Sequence, residues 1–172
     1  MAHLVRGFGS AEAEAHAVAD NLVDANLSGH DSHGIGMLPR YVNAYLESDL
    51  KPNAQLTIEL DGGALLRLNG QGGFGQVIGA QAMALGIERA RLHGNAIVAL
   101  GNTHHLGRIG AWAEHVAQAG LVSLHFVNVI ARPIVAPFGG GDGRFGTNPF
   151  CVGIPFTNQP PMVLDFATSV IA

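Results

Sequence analysis

The chain has 172 residues, 48% of them hydrophobic and 13% charged, with nine Lys and Arg against thirteen Asp and Glu for a formal charge of −4. That length and apolar content support a real core, one domain plus part of another. No basic stripe invites nucleic acid, no apolar run approaches the roughly 18 residues of a membrane span, and the single cysteine, Cys151, excludes an intramolecular disulfide and suits a reducing cytoplasm. The N-terminus has no signal-peptide core. So few charges imply surface that becomes buried, in a dimer or against further chain.

Ser10 is a candidate N-cap, followed by Glu12 and Glu14 where a helix dipole favours anions. Ala11, Ala15, Val18, Leu22 and Ala25 then recur at helical spacing as far as Leu27. His30 to Gly36 is a polar loop, and Leu38, Tyr41, Val42, Tyr45 and Leu46 form a second amphipathic helix closed by Lys51-Pro52. Residues 55–60 and 64–68 alternate around Asp61-Gly62-Gly63, a hairpin signal. A small-residue helix is expected over 77–92, a buried strand over 95–100, a helix over 109–119 and a strand over 121–129. Residues 131–150 are a long Gly/Pro loop, and loops of that length inside compact domains tend to be functional. The segment Met162-Val163-Leu164-Asp165-Phe166-Ala167-Thr168-Ser169 reads as a buried strand entering a polar turn, which suggests the front half of something larger.

Gly70-Gln71-Gly72-Gly73-Phe74-Gly75 fits the dinucleotide fingerprint G-x-G-x-x-G and lies between a candidate strand and a helix. However, the next strand ends Leu100-Gly101-Asn102, with no acid placed for the ribose hydroxyls, and a chain with 24 glycines matches such a pattern by chance. The plainer interpretation is a tight strand-to-helix turn.

Three polar clusters carry the candidate chemistry. In His30-Asp31-Ser32-His33-Gly34 a hydroxyl and an imidazole can serve one substrate atom, although Asp31 and Ser32 are also favoured helix caps. Asn102-Thr103-His104-His105-Leu106-Gly107-Arg108 sits at the C-terminal end of a buried strand, where α/β proteins bind ligands, and its helix start and Arg108 suit an anion such as a pyrophosphate. In Pro137-Phe138-Gly139-Gly140-Gly141 and Gly146-Thr147-Asn148-Pro149, glycine lets backbone approach a ligand, and Asn-Pro sets a turn. His30, His33, His104, His105 and Asp31 have the ligand types of a zinc or iron site but no clustered carboxylate set, so no metal ligand is assigned.

In this order, Asp31-Ser32-His33-Gly34-Ile35, Asn102-Thr103-His104-His105-Leu106-Gly107, Pro137-Phe138-Gly139-Gly140, Gly146-Thr147-Asn148-Pro149 and Asp165-Phe166-Ala167-Thr168-Ser169 resemble the malate/L-lactate dehydrogenase family, which also contains ureidoglycolate and sulfolactate dehydrogenases. The strings Gly107-Arg108-Ile109-Gly110 and His125-Phe126-Val127-Asn128-Val129 look most similar to its hydroxycarboxylate dehydrogenase branch. The resemblance implies an α/β fold, a mixed sheet with packed helices and an incomplete non-Rossmann cofactor domain. Residues 1–110 would form an N-terminal helical and mixed α/β region, and 111–172 the start of the cofactor domain. It implies an NAD- or NADP-dependent oxidoreductase for a small 2-hydroxy acid, a homodimer in full-length form, cytoplasmic, and inactive as this piece alone.

By position, the resemblance gives Ser32, His33 and His105 the catalytic roles, with either imidazole able to move the proton. His33, His105, Leu106, Gly107, Arg108, Ile109, Asp165, Phe166, Ala167, Thr168 and Ser169 match cofactor contacts, and Thr147 and Asn148 are assigned to substrate. Many members carry an arginine four residues after the histidine, where it clamps the substrate carboxylate. Met37 stands there in this chain, so Arg40 is the expected substitute, with Arg132 and Arg144 as other cations in the long loop. The competing classes are a metal-dependent hydrolase or lyase using the histidines, and a non-catalytic fragment.

Overall fold

The computed structural model describes residues 1–130 and 133–169, in two compact units that divide after Arg108. The fold is mixed α/β. Arg132, one of the candidate cations, lies outside the described residues.

The first unit begins with a short helix α1 (Ala2–Arg6) that the sequence does not announce, then α2 (Glu12–Leu27). Ala15, Val18, Ala19, Leu22 and Ala25 bury one stripe of α2, as the spacing requires. Ser10 does not cap it. Its hydroxyl is buried without a partner among the described residues, and the cap comes from Asn53, whose Oδ1 accepts the Ala11 N–H at 2.7 Å. Asn53 also donates its own N–H to the Glu14 carboxylate at 2.8 Å, so a distant residue replaces the local cap. Two 3₁₀ turns, Asp31–His33 and Ile35–Met37, lead into α3 (Leu38–Leu46). Val5, Phe8, Val18, Leu22, Met37, Tyr41, Leu50 and Phe74 form the core beneath these helices.

Strands β1 (Thr57–Asp61) and β2 (Leu65–Asn69) make the expected antiparallel hairpin. Helix α4 (Gly75–His93) crosses over to β3 (Ile97–Gly101), which pairs parallel to β2. Leu66 and Leu68 of β2 point to Ala82 of α4 and make the second core. Gly94 ends α4 in the left-handed conformation, with Arg91 and His93 in its last turn.

The second unit packs α5 (Gly110–Gln118) on an antiparallel sheet of β4 (Ser123–Phe126), β5 (Phe150–Phe156) and β6 (Gln159–Phe166). Strand β5 escapes a sequence pattern because Gly153 and Pro155 interrupt its alternation, and the register slips between Ile154 and Phe156. Edge strand β6 tolerates Pro160 and Pro161 for the same reason. Among its described residues, the long loop between β4 and β5 holds an isolated bridge, Val135 to Phe145. On the sheet face away from the buried Cys151, cross-strand partners Leu124, Val152 and Leu164, and Phe126, Phe150 and Phe166, form an apolar surface on which Phe126 is 79% exposed.

Candidate functional site

The first unit draws its polar residues to one place through three elements. After α2, Gly29 turns left-handed and the His30 N–H returns to the Ala25 carbonyl at 2.8 Å. Asn26 then fixes the loop beyond: its Oδ1 accepts the Ile35 N–H at 2.8 Å, and its amide donates to the Asp31 carboxylate. Gly34 passes so near Asn26 that a β-carbon there would collide with the amide. Neither Asp31 nor Ser32 makes a side-chain cap bond, so the loop is organised from α2 and not by the capping the sequence allows. Ser32 Oγ lies 3.0 Å from His33 Nδ1.

The glycine motif builds the second element. The Gly70 N–H donates to the Gly101 carbonyl (2.9 Å), Gly72 N–H to Asn102 (2.8 Å), and His104 N–H to the Gly73 carbonyl (3.0 Å). A β-carbon on Gly70 would meet Thr103 and Ile78 within 2.9 Å, and one on Gly75 would fall on the His105 carbonyl. The space that the glycines leave open is therefore filled by the chain itself. The turn is a seat for the histidine loop, and a pyrophosphate does not fit it.

Helix α3 supplies the third element. Tyr41 is fully buried; its hydroxyl lies 2.8 Å from His105 Nδ1 and accepts a hydrogen bond from Gln76 Nε2 at 2.7 Å. The Tyr41 ring meets His104 edge-on at 5.4 Å, and His33 stacks on His105 at 5.3 Å and 26°. Ser32, His33 and His105 are thus brought together, with Tyr41 and Gln76 behind them.

Burial pulls the His105 pKa down to about 3, with the neighbouring charges of His33, His104 and Arg40 pushing the same way. His104 is also lowered by burial, partly opposed by Asp49. Burial pushes Tyr41 up to about 12 against the Gln76 hydrogen bond. Near neutral pH both His104 and His105 are neutral, and Tyr41 keeps its proton.

Arg40 is exposed, not the buried cation that a carboxylate clamp suggests, while Met37 is buried in the core. Its charge nevertheless acts on His105. Arg108 is 6% exposed and paired with Asp24 of α2 at 3.2 Å, so its charge is committed to the fold instead of lying open to an anion. Gly107 is left-handed, and a β-carbon there would stand 2.5 Å from Asn21 Oδ1.

In the second unit the two terminal motifs meet. The Thr168 hydroxyl donates to the carbonyls of Thr147 and Asn148, both at 3.1 Å, and Asn148 Oδ1 accepts the Val129 N–H at 2.9 Å. Asp165 accepts the Gly110 N–H at 2.7 Å at the start of α5, where its charge suits the helix dipole. Among the described residues, no three His, Cys, Asp or Glu side chains gather as a metal site, and no helix is long and apolar enough to cross a membrane.

Tyr41 and Gln76 are the residues that sequence reasoning missed. Tyr41 sits in the apolar stripe of an amphipathic helix, and Gln76 sits in the first turn of a helix of small residues. The available signal was chemical: a buried tyrosine hydroxyl or amide requires a partner.

A family model described as malate/L-lactate dehydrogenase matches residues 1–172. Hydroxycarboxylate dehydrogenase B of Escherichia coli (strain K12) is 56% identical over 167 residues, 97% of this chain and 46% of its own. L-lactate dehydrogenase of Cupriavidus necator is 47% identical over 160 residues, 92% of this chain and 46% of its own. The solved structure of sulfolactate dehydrogenase from Methanocaldococcus jannaschii superposes with a TM-score of 0.92 at 34% identity, covering 99% of this chain and 49% of that one. The chain thus spans about half the length of the relatives it matches.

Proposed function

The chain belongs to the malate/L-lactate dehydrogenase family, and from that premise we propose that it carries the proton-handling residues of an NAD- or NADP-dependent dehydrogenase for a small 2-hydroxy acid. The single observation that carries the reading is the stack of His33 on His105 beside Ser32, built from two loops whose histidines lie 72 positions apart and set by Tyr41. The names of the relatives point to the same substrate class: hydroxycarboxylate, lactate and sulfolactate.

Oxidation of a 2-hydroxy acid requires a place for the hydroxyl proton and a donor for the emerging carbonyl oxygen. Two adjacent imidazoles answer both needs, and at 5.3 Å they cannot both be charged at little cost. The donor set therefore fits the substrate side of hydride chemistry; the nicotinamide, when bound, supplies the hydride acceptor or donor. His33, His105, the segment Leu106–Ile109 and the turn Asp165–Ser169 are the residues we assign to hold it, by main-chain contact at Gly107 and Arg108 because the Arg108 side chain is paired. Arg40, exposed and electrostatically felt at His105, is assigned to the substrate carboxylate, and Thr147 and Asn148 to the substrate as well. A homodimer fits the open apolar face of the second sheet, and a reducing cytoplasm fits the lone buried Cys151.

The test is an assay of the full-length protein with lactate, malate and sulfolactate against NAD and NADP, before and after chelation. Turnover that survives the chelator supports the reading. Activity abolished by the chelator and restored by zinc or iron overturns it in favour of a metal enzyme.

A further inference from the structure

The hydrogen bonds around Tyr41 have a direction. The buried Gln76 presents Nε2 to the Tyr41 oxygen at 2.7 Å, and an amide nitrogen can only donate. The Tyr41 oxygen is therefore the acceptor there, and its one O–H is left for His105 Nδ1 at 2.8 Å. A ring nitrogen that accepts carries a lone pair, so a neutral His105 must hold its proton on Nε2. We propose that Gln76 and Tyr41 are positioning residues that hold His105 as its Nε2–H tautomer, so that His105 meets the substrate C2 oxygen as a hydrogen-bond donor while the C2 hydroxyl proton passes to His33. The assignment of roles rests on the dehydrogenase reading above.

Three observations agree with this division. His105, with a pKa near 3, is a poor base at neutral pH, but a neutral imidazole kept from charging is a good donor to a carbonyl that gains electron density. His33 has the hydroxyl of Ser32 at its Nδ1, which can accept the Nδ1–H of an imidazolium and leave Nε2 to take the proton. Tyr41, with its pKa pushed up, keeps the O–H on which the arrangement depends. The balance closes: C2 gives a hydride to the bound nicotinamide, the C2 hydroxyl gives its proton to His33, and His105 keeps the proton it donates with. The reverse reaction returns both.

The experiment reads the tautomer directly. The full-length protein is labelled with ¹⁵N-histidine, and two-bond ¹⁵N–¹H correlations are recorded from pH 6 to 8, with His105 assigned by its loss in His105→Gln. The expected result is a single Nε2–H pattern for His105 across the range. Tyr41→Phe, which removes only the hydroxyl, should let the ring average between tautomers and should lower kcat about tenfold with KM within about twofold, because a donor aimed at the reacting oxygen acts on the chemical step. A role in packing alone would shift the melting temperature and leave the tautomer pattern in place. An Nδ1–H pattern in the unsubstituted protein, or an unchanged pattern in Tyr41→Phe, overturns the proposal. A pinned tautomer in a protein that turns over no 2-hydroxy acid would overturn the dehydrogenase reading and the assigned roles with it, while an unpinned tautomer in an active enzyme would overturn the positioning roles alone.

Discussion

Gly75→Ala tests the claim that the glycine-rich turn exists to seat the histidine loop. Two effects oppose each other. Gly75 opens α4 with no left-handed backbone, so alanine there should stabilise by about 0.5–1 kcal/mol through helix propensity and a less flexible unfolded chain. Against this, the new β-carbon would fall on the His105 carbonyl and 2.7 Å from the His104 carbonyl oxygen. Both are backbone atoms, so no rotamer change relieves the clash; the loop must move. Overpacking of this kind costs about 1–3 kcal/mol, and displacing the loop also endangers the His104 N–H to Gly73 bond and the Tyr41–His105 bond, worth about 1 kcal/mol each. The net expectation is a loss of roughly 2–3 kcal/mol, read as a lower urea midpoint at unchanged slope. Gly101→Ala is the control, since nothing lies within 4 Å of its β-carbon position and its stability should change by less than about 0.5 kcal/mol. If Gly75→Ala is as stable as the parent and leaves the His105 signals in place, the seat argument is wrong.

Asn53→Ala should destabilise by about 2 kcal/mol, because it removes the distant cap on α2 and the bond to the Gly9 carbonyl and puts alanine at a left-handed position; a midpoint within error of the parent would refute the cap. Stability should fall as pH drops from about 6.5, since His104, His105 and His125 have lowered pKa values when folded and the unfolded chain then binds more protons. Between pH 6.5 and 5 His105 alone should account for roughly 1–2 kcal/mol, so His105→Gln should flatten the midpoint-against-pH curve there, and an unchanged slope would contradict its burial as a neutral ring. In the full-length enzyme, Arg40→Met should raise KM for the hydroxy acid without changing cofactor affinity; an unchanged KM would move the carboxylate contact elsewhere, with Arg144, paired to Asp142 at 3.4 Å, next to test. Residues 1–172 alone should self-associate through the open face of β4–β6, and Phe126→Asp should reduce that association in sedimentation velocity; a monodisperse parent would argue against an adhesive face.

Much of the architecture was legible in local patterns. The stripe of α2, the Asp61-Gly62-Gly63 hairpin and the long helix before β3 follow from periodicity and turn residues, because burial on one face imposes a period that survives in the sequence. Strand β5 was hidden, since a bulge and Gly153 and Pro155 break its alternation. The order of five short motifs pointed to the family and to Ser32, His33 and His105 as candidates, and it did so without any knowledge of where they meet.

What the sequence determined by itself is chemistry and spacing: which side chains carry protons, which loops hold them and which family the pattern resembles. Tertiary structure alone decided how those groups are set. Arg108 is a free cation by its sequence and a buried partner of Asp24 in the fold; the glycine motif is a tight strand-to-helix turn by its sequence, and only the fold makes that turn a seat for His104 and His105. Tyr41 was one residue of an apolar stripe, yet its hydroxyl reaches His105, 64 positions away, and Gln76 reaches Tyr41 across 35. The physical reason is range. Periodicity records only what a residue's own helix or strand demands, whereas hydrogen-bond direction, desolvation and pKa are fixed by atoms that the chain brings together from far apart.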